Sequence, residues 1–258
     1  MRKKNIRNLL TVIFFLIVGG ISFAIYNFYK SKNKPIKKPI AVKKLTDLKI
    51  PITYENAILG IDVSKWQGLI NWKTIAKSNN INFVYCRSTC IKLGNLETDK
   101  TFSRNYDSLK KYPELKKGAY HYLSPYINGK EQANFFIDHS SFEKGDLIPV
   151  LDIEKEHKIS NKHLIKVIKD FITEFKNKTK LDIMIYSNLS FYRDNLSKKF
   201  PKNKLWVANY NKSDYKIKNT KWHLWQYTEN GKLHGINSDI DVNILNGDSL
   251  ALNNLTIQ

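Results

Sequence analysis

The sequence predicts an α/β domain built around a parallel, barrel-like sheet, with five strand–helix units followed by three strands that have little helix between them. Three observations point to it. From residue 58 onward, short apolar runs rich in β-branched and aromatic residues alternate with amphipathic runs. The helical pattern stops near residue 196, while strand-like runs continue. Polar and acidic residues recur where the apolar runs end, the place at which parallel barrels carry their chemistry.

The elements follow in order. The apolar run 58–63 predicts a strand and 71–79 the helix after it. A second strand is expected over 82–88, then a helix over 99–111 with Phe102, Tyr106 and Leu109 on one face. The third unit pairs a strand at 118–123 with a helix at 130–139, and the fourth a strand at 147–153 with a helix at 161–177. That helix has the clearest signal: Ser160 is a good N-cap, and Leu164, Ile165, Ile168, Phe171, Ile172 and Phe175 recur at helical spacing. A strand at 181–186 and a short helix at 189–196 complete the fifth unit, and strands at 205–209, 222–227 and 240–242 close the domain.

Ahead of this domain the chain is basic and apolar by turns. Residues 1–44 hold 11 of the 43 Lys and Arg and none of the 23 Asp and Glu. From Asn8 to Tyr29 there are 22 residues without a charge, enough for a bilayer-spanning helix of about 20 residues. Ser22-Phe23-Ala24 offers a cleavage site if the segment is a signal sequence, but the apolar run exceeds the usual signal core of about 7–15 residues. The expected organisation is an N-terminal hydrophobic helix over 1–30 (anchor or signal sequence), a basic linker over 31–57, and one globular domain over 58–258. That domain would be exported, either membrane-anchored through the helix or secreted if the segment is cleaved. A net charge of +20 favours anionic surroundings. The globular part lacks basic runs interleaved with aromatics, so no nucleic-acid partner is expected. Cys86 and Cys90 lie four apart in one predicted strand, about 13 Å by strand rise, beyond the roughly 7 Å that a disulfide spans, and are expected as free thiols.

In LIPVLDIEKE, Asp152 and Glu154 share a strand face at the end of an apolar run. Asp62 after ILGI and Asp241 in SDIDVN fall at the same level, so four carboxylates converge from three strands. Paired carboxylates suit glycoside hydrolysis, in which one donates a proton to the leaving oxygen and another group stabilises the cationic sugar. A lone Asp after a strand is most often a cap, an isolated D-x-E is common, and a carboxylate cluster also suits Ca²⁺ or Mg²⁺; spacing alone leaves these open. Tyr120, Tyr122, Tyr186, Asn209 and Gln226 fall at the same rim. Of the tryptophans, Trp72 reads as core, while Trp66 and Trp206 fit either core or sugar stacking. His121 alternates with the tyrosines and is expected to pack against the outside of the barrel, and His157 to lie in a solvated loop.

GIDVSKWQG (60–68), GAYHY (118–122), PVLDIE (149–154), LWVANY (205–210), WQYT (225–228) and DIDVN (239–243), in this order, resemble glycoside hydrolase family 25, the lysozymes that cleave N-acetylmuramic acid linkages in peptidoglycan. The resemblance covers about residues 58–247. It implies a flattened TIM-like barrel of eight strands with five helices, and no metal or organic cofactor. By position, Glu154 matches the family's general acid and Asp152 the group that orients or stabilises the substrate's 2-acetamido group. Asp62 and Asp241 match the remaining active-site carboxylates, and Tyr120, Tyr122, Tyr186, Trp206, Asn209 and Gln226 are the expected substrate-binding residues. The implied reaction is hydrolysis of the β-1,4 bond between N-acetylmuramic acid and N-acetylglucosamine by a monomeric enzyme whose partner is peptidoglycan. One departure stands out: where the family often has Thr-Glu-Gly, this chain has Thr89-Cys90-Ile91. The thiol leaves room for two alternatives, a wall-binding module without turnover and a hydrolase of a related amino-sugar polymer such as chitin.

Overall fold

The computed structural model describes residues 46–78, 80–154, 159–211, 217 and 219–258. The hydrophobic helix expected over 1–30, the linker as far as residue 45, and His157 lie outside the described residues. Among the described residues, no helix is long and apolar enough to cross a membrane.

Eight strands close the predicted barrel: β1 (Leu59–Val63), β2 (Phe83–Lys92), β4 (Lys116–Tyr122), β5 (Val150–Asp152), β6 (Met184–Asn188), β7 (Leu205–Ala208), β8 (Leu224–Gly231) and β9 (Ile240–Leu245). A ninth strand, β3 (Asn95–Thr98), extends β2 as a hairpin outside the ring. The pairings from β1 through β2, β4, β5, β6, β7 and β8 are parallel. The last strand departs from the expected parallel sheet: β9 runs antiparallel to both β8 and β1 and shuts the ring. The helices are α1 (Trp72–Ser78), α2 (Phe102–Leu109), α3 (Gly129–Asp138), α4 (Asn161–Thr179), a short α5 (Leu189–Phe191) that continues as a wider turn to Leu196, and α6 (Ser249–Asn253).

Strand periodicity sorts the side chains into two cores. Odd-numbered residues of β1 and even-numbered residues of β9 (Leu59, Ile61, Val63; Ile240, Val242, Ile244) face outward and pack with the helices in one large cluster. The opposite set fills the barrel: Phe83, Tyr85, Val150, Met184, Trp206, Leu224 and Leu245 are buried together. Each such side chain contributes about 1.5–3 kcal/mol by burial. Gly60 and Gly118 make room for these rings. A Cβ at Gly60 would lie 2.1 Å from the Phe83 ring, and one at Gly118 would lie 2.5 Å from the Tyr85 ring.

The far end of the barrel is stopped by chain the sequence left unassigned. Leu252, Leu255 and Ile257 join the interior cluster, and Ile148 N–H donates to Leu255 O at 2.8 Å. This pairing shortens β5 relative to the expected 147–153, because residues 147 and 148 bond to the C-terminal segment or to Lys117 and Pro149 has no N–H to give. The turn of the β2–β3 hairpin lies outside the predicted strands; Leu93 and Gly94 both take positive φ (49° and 81°), the twist of a two-residue hairpin turn. At the other boundary, residues 46–57, placed in the linker on sequence, pack on the barrel. Asp47 pairs with Lys232, Leu48 is buried, and Tyr54 meets Trp225 edge-on at 5.4 Å.

The 19-residue α4 forms where its pattern predicted. Ser160 Oγ accepts from His163 N–H at 3.3 Å, and Lys180 ends the helix in the left-handed region with φ 62°. Leu164, Val167, Ile168, Phe171 and Phe175 face the sheet, and Ile165 and Ile172 are half-buried at its margin. His121 packs outside the barrel as expected: it stacks on Phe171 and bonds Thr89 Oγ1 at 2.8 Å and Gln132 Oε1 at 3.1 Å. Burial lowers its pKa to about 4, so it stays neutral. Trp72 is core, and both cysteines are buried free thiols.

Candidate active site

A cleft of about 250 Å³ opens at the rim where β1, β2, β4, β5, β6 and β7 end and β9 begins. Glu154, Asp152, Asp62 and Asp241 all line it, as do Tyr120, Tyr122, Tyr186, Trp206 and Gln226. Because β9 is reversed, Asp241 reaches this rim from the start of its strand rather than the end. Asn209 is the exception among the expected residues. It has the opposite parity to Trp206 and does not line the cleft; it is buried, its side-chain oxygen accepts from Asn211 and its carbonyl accepts from Trp225 Nε1 at 2.8 Å.

Asp152 and Glu154 differ sharply in environment. Asp152 is buried, and its Oδ1 has no hydrogen-bond partner among the described residues. Burial, then the charges of Glu154 and Asp62, push its pKa well above the ordinary carboxyl range, while Arg87 works in the opposite direction. Glu154 lies just past β5, exposed at the mouth, with Tyr122 Oη at 3.4 Å from its Oε2.

Asp62 sits at the centre of an amide network. Its Oδ2 accepts from Gln226 Nε2 at 2.9 Å and from Asn243 Nδ2 at 2.8 Å. Gln226 Oε1 in turn accepts from Tyr186 Oη at 2.8 Å and Tyr210 Oη at 2.5 Å, and Asn243 Oδ1 accepts from Trp206 Nε1 at 2.8 Å. Asp62 and Asp241 face each other across the β1–β9 pairing and are hydrogen-bonded. Burial raises the pKa of both. The amide donors favour the ionised form at Asp62, so Asp241 is the partner that keeps the proton.

Arg87 supplies a half-buried cation to the cleft. Its Nε and Nη2 both donate to Asp99 Oδ2, at 2.9 and 2.7 Å. Burial works to raise the Asp99 pKa, but donors from Thr101 and Lys65 and the Arg87 charge outweigh it and hold the carboxyl below its ordinary range. Trp66 is 72% exposed at the rim, with Lys65 Nζ 4.9 Å above its ring. It sits on a turn capped by Ser64 and Gln67. Cys90 is not among the cleft residues; it is buried in the β2–β3 hairpin, where burial raises its pKa and disfavours the thiolate.

Sequence reasoning missed Asn243, Arg87, Tyr210 and Glu229, which hold or line this site. Two were legible. Asn243 shares parity with Asp241, and Arg87 shares parity with Tyr85 inside the barrel. Tyr210 and Glu229 lie beyond a strand end or a register shift, where alternation carries no signal.

The sequence profile described as Glycosyl hydrolases family 25 matches residues 61–236. A protein of Escherichia coli strain K12, named Uncharacterized protein YegX, is 35% identical over 204 residues, covering 78% of this chain and 73% of its own. Lysozyme M1 of Streptomyces globisporus is 32% identical over 215 residues, 76% of this chain and 70% of that protein. Among solved structures, the bacterial lysozyme of Streptomyces coelicolor superposes with a TM-score of 0.67 at 28% identity, covering 78% of this chain and 98% of that one.

Proposed function

The chain belongs to glycosyl hydrolase family 25 and is a glycoside hydrolase, and from that premise we propose that it is a muramidase that hydrolyses the β-1,4 bond between N-acetylmuramic acid and N-acetylglucosamine in peptidoglycan. The observation that carries the reading is the contrast between two neighbouring carboxylates in one cleft, Asp152 buried with a bare oxygen and Glu154 exposed at the mouth.

In this reading Glu154 is the general acid and gives its proton to the glycosidic oxygen as the C1–O bond breaks. Asp152 Oδ1 takes the N–H of the 2-acetamido group and turns the acetamido oxygen toward C1. That oxygen forms the new C1–O bond and the leaving sugar departs with its proton. Water then opens the cyclic intermediate and gives its own proton to the Glu154 carboxylate. Asp62, held ionised by Gln226 and Asn243, adds negative charge beneath the developing cation, and Asp241 stores the proton that keeps the pair from repelling. Tyr120, Tyr122 and Tyr186 form the walls against which the sugars lie, while Trp206, expected on sequence to bind substrate, is buried behind Tyr186 and backs it.

We further infer that the domain works outside the cytoplasm as a monomer, held by the apolar segment Asn8–Tyr29 as a membrane helix or released if that segment is cleaved. Sequencing the N-terminus of the mature protein decides between the two. Cys90 is a buried thiol that does not line the cleft, which supports turnover over a wall-binding module without it.

The chemical test is digestion of purified peptidoglycan with the wild type and Glu154→Gln, with reducing ends counted and products identified by mass. The variant is expected to lose on the order of 10²- to 10⁴-fold in rate. Wild-type turnover in the variant, or products ending in N-acetylglucosamine at the new reducing end, would overturn the assignment.

A further inference from the structure

Away from the cleft, the outer face of α4 carries a line of cations. Lys162, Lys166, Lys169 and Lys176 are all exposed. At 100° per residue they fall within about 40° of one direction, so they form one straight stripe rather than a scattered surface. With a rise of about 1.5 Å per residue, the stripe runs for about 21 Å, and Lys162, Lys169 and Lys176 succeed one another at steps of about 10 Å.

The stripe borders a seam. Two hollows lie between α4 and the segment 194–204 that leads into β7, one toward each end of the helix. Together seven lysines and three aspartates line them, so the seam has a clear excess of positive charge. Asp170 and Asp182 are each paired with a lysine, Lys166 and Lys176 respectively. Glu174, the other acid on this helix, pairs with Lys178. Lys162, Lys169, Lys199, Lys202 and Lys204 have no ion-pair partner among the described residues. Holding so many like charges along one groove is unfavourable without a counter-charge, and mobile salt answers it only in part.

We propose that the seam along α4 binds a linear polyanion with regularly repeated phosphodiesters. Three features select this partner. The charges are lysines, compact point cations suited to phosphate oxygens rather than to planar bidentate recognition. They are spread along a line, which matches an extended polymer and gives a lone ion no single focus. They flank a concave seam, which fits a strand and leaves a flat membrane touching only its edges. Bound this way, a polymer lies along the helix side of the barrel and leaves the carboxylate cleft at the rim free. The site therefore acts by retaining the enzyme beside its substrate, an effect of local concentration and not of chemistry.

The test uses the full-length chain in non-ionic detergent and a synthetic poly(glycerol phosphate) as probe. Binding is measured across a salt series for three proteins. One is the wild type. The second carries K162Q, K169Q, K199Q and K202Q. The third carries K73Q, K77Q, K100Q and K144Q, four exposed lysines on other elements with the same net charge removed. The seam variant is expected to bind at least about 10-fold more weakly near 0.1 M salt, with its log K against log salt slope reduced by about 3, at roughly 0.7 per charge. The control variant is expected to keep most of the affinity, and both are expected to cleave peptidoglycan stripped of phosphate polymer at the wild-type rate. Equal losses in the two variants would reduce the effect to net charge and overturn the proposal. Tighter, seam-dependent binding of single-stranded DNA of matched charge would also overturn it, by assigning the surface to nucleic acid.

Discussion

Asn243 Nδ2 donates to Asp62 Oδ2 across 2.8 Å, so a neutral amide on the reversed strand β9 holds a buried carboxylate on β1. The same amide accepts from Trp206 Nε1, which ties the carboxylate to a cleft wall. Replacing Asn243 by Ala strands the indole N–H and takes one of two amide donors from Asp62. Each buried group left unsatisfied costs about 1–3 kcal/mol. The expected outcome is a clear fall in melting temperature together with reduced kcat, read by calorimetry and by peptidoglycan digestion. A variant as stable and as active as the wild type would show that water replaces the amide without loss.

Asp241 gives a pH signature. Burial and Asp62 raise its folded pKa above that of the unfolded chain, near 4. Between those two values the folded state binds the extra proton, so stability falls as pH rises through the window. Below the unfolded value both states are protonated and the effect vanishes. Asp241→Asn keeps a donor toward Asp62 and cannot ionise. Its melting temperature is expected to decline less steeply than the wild type's from about pH 4.5 upward. Parallel curves for the two proteins would contradict the assignment of the proton to Asp241.

Arg87 is held by Asp99, whose side chain is fully buried. Removing one partner of a buried pair costs about 3–5 kcal/mol, so Arg87→Ala is expected to be strongly destabilised and Arg87→Lys less so. The lysine variant retains the charge but not the two-nitrogen grip. Arg87→Gln tests the electrostatics. Loss of the cation raises the Asp152 pKa further, and the acidic limb of kcat/KM is expected to move to higher pH. An unmoved limb, with stability alone reduced, would confine Arg87 to a structural role.

Gly60 is set against the Phe83 ring inside the barrel, with both residues in register on neighbouring strands. Phe83 is fully buried, packed in the interior cluster with Tyr85, Val150 and Leu245. Gly60→Ala is expected to destabilise the domain by about 1–3 kcal/mol through overpacking, measured by denaturant unfolding. Gly60→Ala combined with Phe83→Leu is expected to recover part of that loss, because the smaller side chain vacates the contact.

Element order, the parity of inward-facing residues and the carboxylates of the rim were all legible in the chain. A strand's period of two and a helix's of 3.6 are local properties that apolar and polar residues write directly into sequence. Hence Asp62, Asp152, Glu154 and Asp241 were found together from spacing and motif, while Asn209 was placed by its proximity to a strand end although its parity set it on the outer face. Three things required the folded molecule. The direction of β9 depends on which neighbours it meets, and period two reads the same from either end. The bare oxygen on Asp152 and the shared proton of Asp62 and Asp241 arise from burial by side chains distant in sequence. The lysine stripe on α4 lies in the helical spacing, but its seam exists only where the segment before β7 packs beside that helix. Local pattern is set by neighbours along the chain, and charge state and concavity by neighbours in space.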